Sequence, residues 1–212
     1  MRHSLRWIAL ALIVGALVTA GGCKLFNQAP VADFDWSPEE PLAREEVEFE
    51  DASTDEGGLF GAGGVVAWDW DFDDGDSENL KNPSHAFEES GDYDVTLTVT
   101  DADGKMSTVE KTVEVSPSLD GTWKGTWDSC ANFFDLTLEL NHSRTGGISG
   151  IMYIALQAYP LDGASVVGSQ VTISLLGGLI LQGTLSADER SMSGQWSFQG
   201  NTGCTWSVTL QG

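Results

Sequence analysis

Basic residues are scarce in this sequence of 212 residues, and their scarcity excludes a large class of partners. Only 10 Lys and Arg stand against 32 Asp and Glu, which gives a formal net charge of −22 at pH 7. A surface this acidic repels phosphate backbones, so we expect no binding to nucleic acid. The chain is nevertheless 41% apolar, with 8 Trp and 9 Phe, which is too rich for a disordered acidic tail.

Histidine and cysteine are equally rare, at three residues each, and the motifs of common catalytic sites are absent. The sequence has no H-E-x-x-H, no G-x-S-x-G and no phosphate-binding G-x-x-x-x-G-K-[ST]. Cys130 and Cys204 lack the C-x-x-C spacing of redox and zinc sites. Helix-period patterns are few while Gly is frequent, at 25 residues. We therefore predict a folded all-β protein that is not an enzyme and has no catalytic residues.

The acidic residues are concentrated in one part of the chain, which locates a domain boundary. Residues 24–117 hold 25 acidic and 5 basic residues, whereas residues 118–212 hold 7 acidic and 3 basic residues. The change occurs near Ser116-Pro117-Ser118. It predicts two mature domains of different character, over residues 29–116 and 118–212.

The N-terminus has the organisation of an export signal. Arg2 and Arg6 precede an apolar run of 14 residues, which is shorter than the roughly 20 residues that a membrane-spanning helix needs. The run is followed by Gly-Gly-Cys23, which resembles the lipobox of bacterial lipoproteins.

That resemblance implies removal of residues 1–22 as a signal peptide and acylation of Cys23, with palmitate among the acyl chains. Residues 23–28 would then form a lipidated terminus and linker that binds the membrane. Lys24 follows the cysteine, which favours the cell envelope and, in a cell with two membranes, the outer one. An ordinary secretory signal with an incidental Cys23 is the alternative.

The two remaining cysteines form an even pair. In an oxidising compartment, Cys130 and Cys204 are expected to form a disulfide. Two buried free thiols are the alternative.

Residues 29–116 contain short alternating strands separated by turn residues, a pattern typical of a β-sandwich. Five segments in this region resemble, in order, the motifs of PKD (polycystic-kidney-disease repeat) domains. They are Pro30 to Phe34, Ser53 to Gly57, Trp70-Asp71-Phe72-Asp73-Asp74-Gly75, Asn82-Pro83-Ser84-His85-Ala86-Phe87, and Gly91 to Asp101.

The resemblance implies an immunoglobulin-like sandwich that acts as an interaction or spacing unit in surface proteins. Asp73 stands where the family has Gly, and we expect the turn to persist because Asp tolerates a positive φ. Some PKD domains bind calcium, and the matching positions here are Asn27, Asp55 and Asp101. Hard oxygen ligands suit calcium, but solvated turn carboxylates are the alternative.

Residues 118–212 alternate apolar and polar residues over about eight segments. This pattern predicts a small antiparallel up-and-down β-barrel, with a second β-sandwich as the alternative. Leu119-Asp120-Gly121-Thr122-Trp123 resembles the opening strand of lipocalin- and avidin-like barrels. Six aromatic residues are predicted to point inward, where they either fill the core or line an apolar ligand pocket: Trp123, Trp127, Phe134, Trp196, Phe198 and Trp206.

Together these features predict a lipid-anchored, extracytoplasmic binding, adhesion or scaffold protein with no cofactor except the calcium that the family resemblance allows. The PKD-like domain would act as an interaction and spacer unit for the barrel, with a protein or polysaccharide partner at the cell surface. The alternative is a carrier that holds a small apolar ligand in the barrel. A purely structural role in an envelope assembly is a third hypothesis.

Overall fold

The computed structural model describes residues 28–56, 64–145 and 147–211, and over these ranges the chain forms fifteen β-strands and no helix. The predicted signal peptide, Cys23 and Asn27 lie outside the described residues. No helix among the described residues is long and apolar enough to cross a membrane.

The chain divides into two compact units. Of the described residues, those up to Asp35, Glu50–Pro83 and Val95–Lys111 belong to the first unit. Trp36–Phe49, Ser84–Asp94 and the described residues from Thr112 onward belong to the second.

Two open sheets occupy residues 34–115, as the strand alternation predicts. The strands are β1 (Phe34–Ser37), β2 (Val47–Asp51), β3 (Val65–Asp71), β4 (Ser77–Glu78), β5 (Ser84–His85), β6 (Gly91–Asp101) and β7 (Met106–Val115). One sheet has the order β1-β2-β5 and the other the order β4-β3-β6-β7.

The tryptophan motif of β3 lies at the centre of this fold. Trp70 and Phe72 are fully buried, and the ring of Phe34 contacts Trp70 edge to face at 5.1 Å between centroids. The indole N–H of Trp70 donates to the carbonyl of Leu80 at 2.9 Å. Asp73 has a φ of 63°, so the positive φ expected at this position is confirmed.

The remaining eight strands form a closed antiparallel barrel, which confirms the predicted architecture. Each strand pairs with the next in sequence, and the last pairs with the first, so no strand edge is left open. The strands are β8 (Gly121–Asp128), β9 (Phe133–Ser143), β10 (Gly147–Ile154), β11 (Gln157–Val167), β12 (Gln170–Leu175), β13 (Leu179–Leu185), β14 (Ser191–Phe198) and β15 (Asn201–Leu210).

Strand β11 is longer than the sequence predicts. Only Ser165-Val166-Val167 suggests a strand, whereas the structure extends it back to Gln157. Pro160 lies within β11, and the register between β11 and β12 shifts between Leu161 and Gly163. A proline and a register shift interrupt the alternation, so the strand pattern is hidden in the sequence.

Candidate functional site

The interior of the barrel is filled by its own side chains. Sixteen buried apolar residues form one cluster there, and among them Trp123, Leu138, Met152, Ile173 and Leu181 have no exposed surface. An eight-stranded barrel is only wide enough for packed side chains or one small ligand. The interior is therefore a hydrophobic core in this structure.

Three of the four barrel tryptophans, Trp123, Trp196 and Trp206, donate an indole hydrogen bond to a backbone carbonyl. The indole N–H of Trp123 donates to Leu119 at 3.0 Å, and that of Trp206 donates to Gln195 at 3.2 Å. Trp127 is buried, and the half-buried Trp196 stacks on it with ring centroids 4.8 Å apart. These contacts satisfy the polar atom of an otherwise apolar ring, as a core requires.

Two of the six aromatics expected inside do not belong to the core. Phe134 and Phe198 are 38% and 42% exposed. Phe134 is the second residue of β9 and Phe198 is the last residue of β14, so both lie at strand ends. Alternation predicts which face of the sheet a side chain is on, but it does not say how far along the barrel the core extends.

The predicted disulfide is confirmed. Cys130, in the turn between β8 and β9, is bonded to Cys204 on β15, and the Cα atoms are 5.3 Å apart. The bridge joins two residues separated by 74 positions.

The candidate calcium ligands are only partly described, because Asn27 lies outside the described residues. Asp55 accepts a hydrogen bond from the amide of Gly64 at 2.7 Å. The buried Asp101 accepts bonds from the amides of Asp103 and Lys105, at 2.9 and 2.8 Å. Both carboxylates thus bind backbone groups of nearby turns.

The outer surface of four neighbouring barrel strands carries two rows of uncharged polar side chains. Strand pairing aligns Gln170, Thr184, Ser193 and Ser207 in one row, and Thr172, Gln182, Gln195 and Thr205 in the other. We call these eight residues the amide face. They alternate with buried residues such as Val171, Leu181 and Met192, so their side chains point away from the core.

A groove of about 480 Å³ runs over part of the amide face. Gln170, Gln182, Thr184, Ser193 and Gln195 line it. Within the described part of the chain, the side-chain amides of the three glutamines form no hydrogen bond to protein atoms. Their donors and acceptors are therefore available to a ligand in the groove.

This surface is electrically neutral in a strongly acidic molecule. From residue 163 to residue 212 the only charged side chains are Asp188, Glu189 and Arg190, which lie in the β13–β14 turn. The amide face is not among the sites predicted from the sequence. The available signal is the regular recurrence of Gln, Ser and Thr at alternate positions in a stretch nearly free of charge.

A second cleft, of about 730 Å³, lies wholly within the second unit and is lined by arginines. All three arginines that follow residue 23 line it. Arg144 lies 3.1 Å from the carboxylate of Glu45, and Arg190 lies 2.9 Å from that of Glu88. The carboxylate partners offset the positive charge of both arginines. Because the two ion pairs are partly exposed, each contributes little to the stability of the fold.

The third arginine of this cleft contacts a buried carboxylate. Arg44 lies 3.6 Å from Glu189, which is 3% exposed, and also donates to the carbonyl of Ser118 at 2.8 Å. Glu189 accepts a hydrogen bond from the amide of Ser90 at 2.8 Å. The carboxylate is therefore both paired and hydrogen-bonded, as a buried charge must be.

His142 in the same cleft has a defined protonation state. Its Nδ1 accepts a hydrogen bond from the amide of Leu119 at 3.2 Å, which requires an unprotonated nitrogen at that position. Burial lowers the pKa of His142 below its ordinary value of 6.5, and the charge of Asp120 opposes this shift in part.

Comparison with known proteins bears on the first of the two predicted domains. Residues 27–116 match the family model described as PKD domain. The tryptophan motif that carries the resemblance lies in the core of the two-sheet fold described above. Residues 27–116 are a PKD domain.

Solved and curated proteins of similar sequence include a PKD1 domain and two collagenases. The PKD1 domain of Vibrio anguillarum Epp is 34% identical, is covered over its full length and covers 44% of this chain, with a TM-score of 0.38. Collagenase ColQ1 of Bacillus cereus is 35% identical over 57% of this chain, and collagenase ColA of Clostridium perfringens is 36% identical over 35% of it. The chain spans only 12% and 6% of the length of these two collagenases.

Proposed function

We propose that this protein is a lipid-anchored, extracytoplasmic binding protein in which the PKD domain is an interaction and spacer unit and the barrel presents a binding surface. The observation that carries the proposal is the filled barrel interior next to an exposed groove on its outer surface. A barrel whose inside is occupied by its own core can contact a ligand only through its outside and its loops. No catalytic role is proposed for any residue.

The partner class is an extracellular polymer, either protein or polysaccharide. Relatives of this chain include proteins named collagenases, which supports a setting in which extracellular polymers are handled. The high negative charge argues against anionic polymers as the main partner, because like charges repel at low and physiological ionic strength.

The anchor is proposed at Cys23, from the lipobox resemblance of the N-terminus. Two or more acyl chains hold a protein on a membrane stably, since each buried CH₂ contributes about 0.8 kcal/mol. We expect the wild-type protein to incorporate labelled palmitate and to fractionate with membranes, and Cys23→Ser to lose both properties. The matched control is the double variant Cys130→Ser/Cys204→Ser, which removes the other cysteines and leaves the label in place. Equal membrane association of wild type and Cys23→Ser would refute the anchor.

The carrier alternative receives no support from the barrel. Its interior positions are occupied by buried apolar side chains, so an apolar ligand would have to displace part of the core. We expect a lipophilic fluorescent probe to bind no more strongly than to a control protein of similar size. Saturable, stoichiometric binding of the probe would favour the carrier hypothesis over binding at the outer surface of the barrel.

A further inference from the structure

We infer that the amide face binds a neutral polysaccharide. This inference rests on the proposed function, because it assigns a ligand class and a surface to the binding role of the barrel. The observations that carry it are the chemistry, the charge and the alignment of the eight side chains on β12, β13, β14 and β15.

The side chains of the amide face match the chemistry of sugar hydroxyls. Each glutamine amide offers two N–H donors and a carbonyl acceptor, and each Ser or Thr hydroxyl both donates and accepts. Gln182 and Gln195 are directly opposite one another across β13 and β14. Two adjacent amides can together bind neighbouring hydroxyls of one sugar ring, each of which is also both donor and acceptor.

The absence of charge selects among hydroxyl-rich polymers. Recognition of an anionic polymer needs positive side chains, and the amide face has none. A cationic polymer would be attracted instead to residues 24–117, which hold 25 of the acidic residues. A neutral polymer requires no counter-charge, so the amide face suits a neutral polymer better than an anionic or a cationic one.

The alignment of the rows suits an extended chain. Adjacent strands lie about 4.8 Å apart, so each row of four side chains extends about 14 Å across the strands. The groove of about 480 Å³ lies within the range of about 300–1,000 Å³ that is typical of ligand sites. Because the side chains stand on paired strands of a closed barrel, little ordering is needed on binding, which favours affinity.

The test uses the full-length protein in detergent solution and measures its retention on insoluble cellulose, chitin, starch and β-1,3-glucan. Polygalacturonate is the anionic comparison. We expect saturable retention on at least one neutral polysaccharide and none on polygalacturonate. We expect the double variant Gln182→Glu/Gln195→Glu to bind at least tenfold more weakly, because it places two negative charges in the groove with almost no change in side-chain shape.

Gln157→Glu is the matched control, since Gln157 is exposed on β11 and lies outside the amide face. It should bind the neutral polysaccharide as the wild type does, and thermal melting should show that all variants remain folded at the assay temperature, because every changed residue is exposed. Retention on none of the four polysaccharides, or retention unaffected by the double variant, would overturn the inference. Either result would leave the Cys23 fractionation experiment unchanged, so failure of this inference is distinguishable from failure of the proposed anchor.

Discussion

At the scale of single residues, His142 shows how one backbone contact determines the form of a titratable group. Its Nδ1 accepts the amide of Leu119, and its own amide donates to the carboxylate of Asp120 at 3.1 Å. A proton on Nδ1 would remove the first of these bonds. Burial acts in the same direction, because it disfavours the charged imidazolium and lowers the pKa of His142.

The pKa of His142 predicts the direction of a pH effect on stability. The folded-state pKa is below the unfolded value of about 6.5, so the unfolded chain binds more protons between the two values. The contribution of His142 is fully present above pH 6.5 and is lost as the pH falls through the folded pKa. We expect the melting temperature of wild type to decrease over this interval more than that of His142→Gln. Identical pH profiles for the two proteins would contradict the assignment.

At the scale of secondary-structure elements, the pairing of β13 with β14 depends on two glycines. Gly183 and Gly194 are directly opposite one another in the register. A Cβ atom on Gly183 would lie 2.4 Å from the carbonyl oxygen of Ser193 and 2.7 Å from the indole of Trp206. The missing side chain of Gly183 therefore makes room for the buried indole of Trp206 on a strand that also carries part of the amide face.

Substitution of these glycines tests that packing. We expect Gly183→Ala to lower the stability of the barrel by about 1–3 kcal/mol, the usual cost of overpacking a core, because backbone atoms cannot move aside as a flexible side chain could. Gly163→Ala is the control, since its Cβ would meet only the Ser174 hydroxyl at 3.5 Å, an ordinary contact. Urea unfolding followed by tryptophan fluorescence measures both. A stability of Gly183→Ala equal to that of Gly163→Ala would show that the indole is not confined as described.

At the scale of the whole molecule, the disulfide is the longest-range covalent constraint among the described residues. Cys130 and Cys204 are 74 positions apart, and the bond encloses most of the barrel sequence. Cross-linking a loop of this length restricts the unfolded chain, which stabilises the folded state by about 4 kcal/mol in the chain-entropy model.

Loss of the disulfide is therefore expected to affect stability strongly. The double variant Cys130→Ser/Cys204→Ser should melt about 8–16 °C below the wild type, since a change of 1 kcal/mol shifts the midpoint by about 2–4 °C in a chain of this size. Calorimetry with and without a reductant is the measurement. The wild type under reducing conditions should approach the double variant, and an unchanged midpoint in both would exclude a stabilising role.

Much of the architecture could be predicted from local patterns. Alternation with a period of two, together with turn residues, identifies strands within a short stretch of chain, so the sandwich and the eight-stranded barrel were expected. The motif from Trp70 to Gly75 pointed to the PKD domain, and the even number of cysteines after Cys23 pointed to the disulfide. The first part of β11 escaped prediction because Pro160 and a shift in register interrupt the local pattern.

The sequence by itself determined the fold class and the face of the sheet on which each side chain lies, because these depend on neighbours along the chain. Only the tertiary structure decided which aromatics are in the core, since Phe134 and Phe198 point inward by pattern but lie at exposed strand ends. It also decided that Gln182 and Gln195 are neighbours. Register between strands depends on hydrogen bonds between separate segments, and no local pattern contains that information.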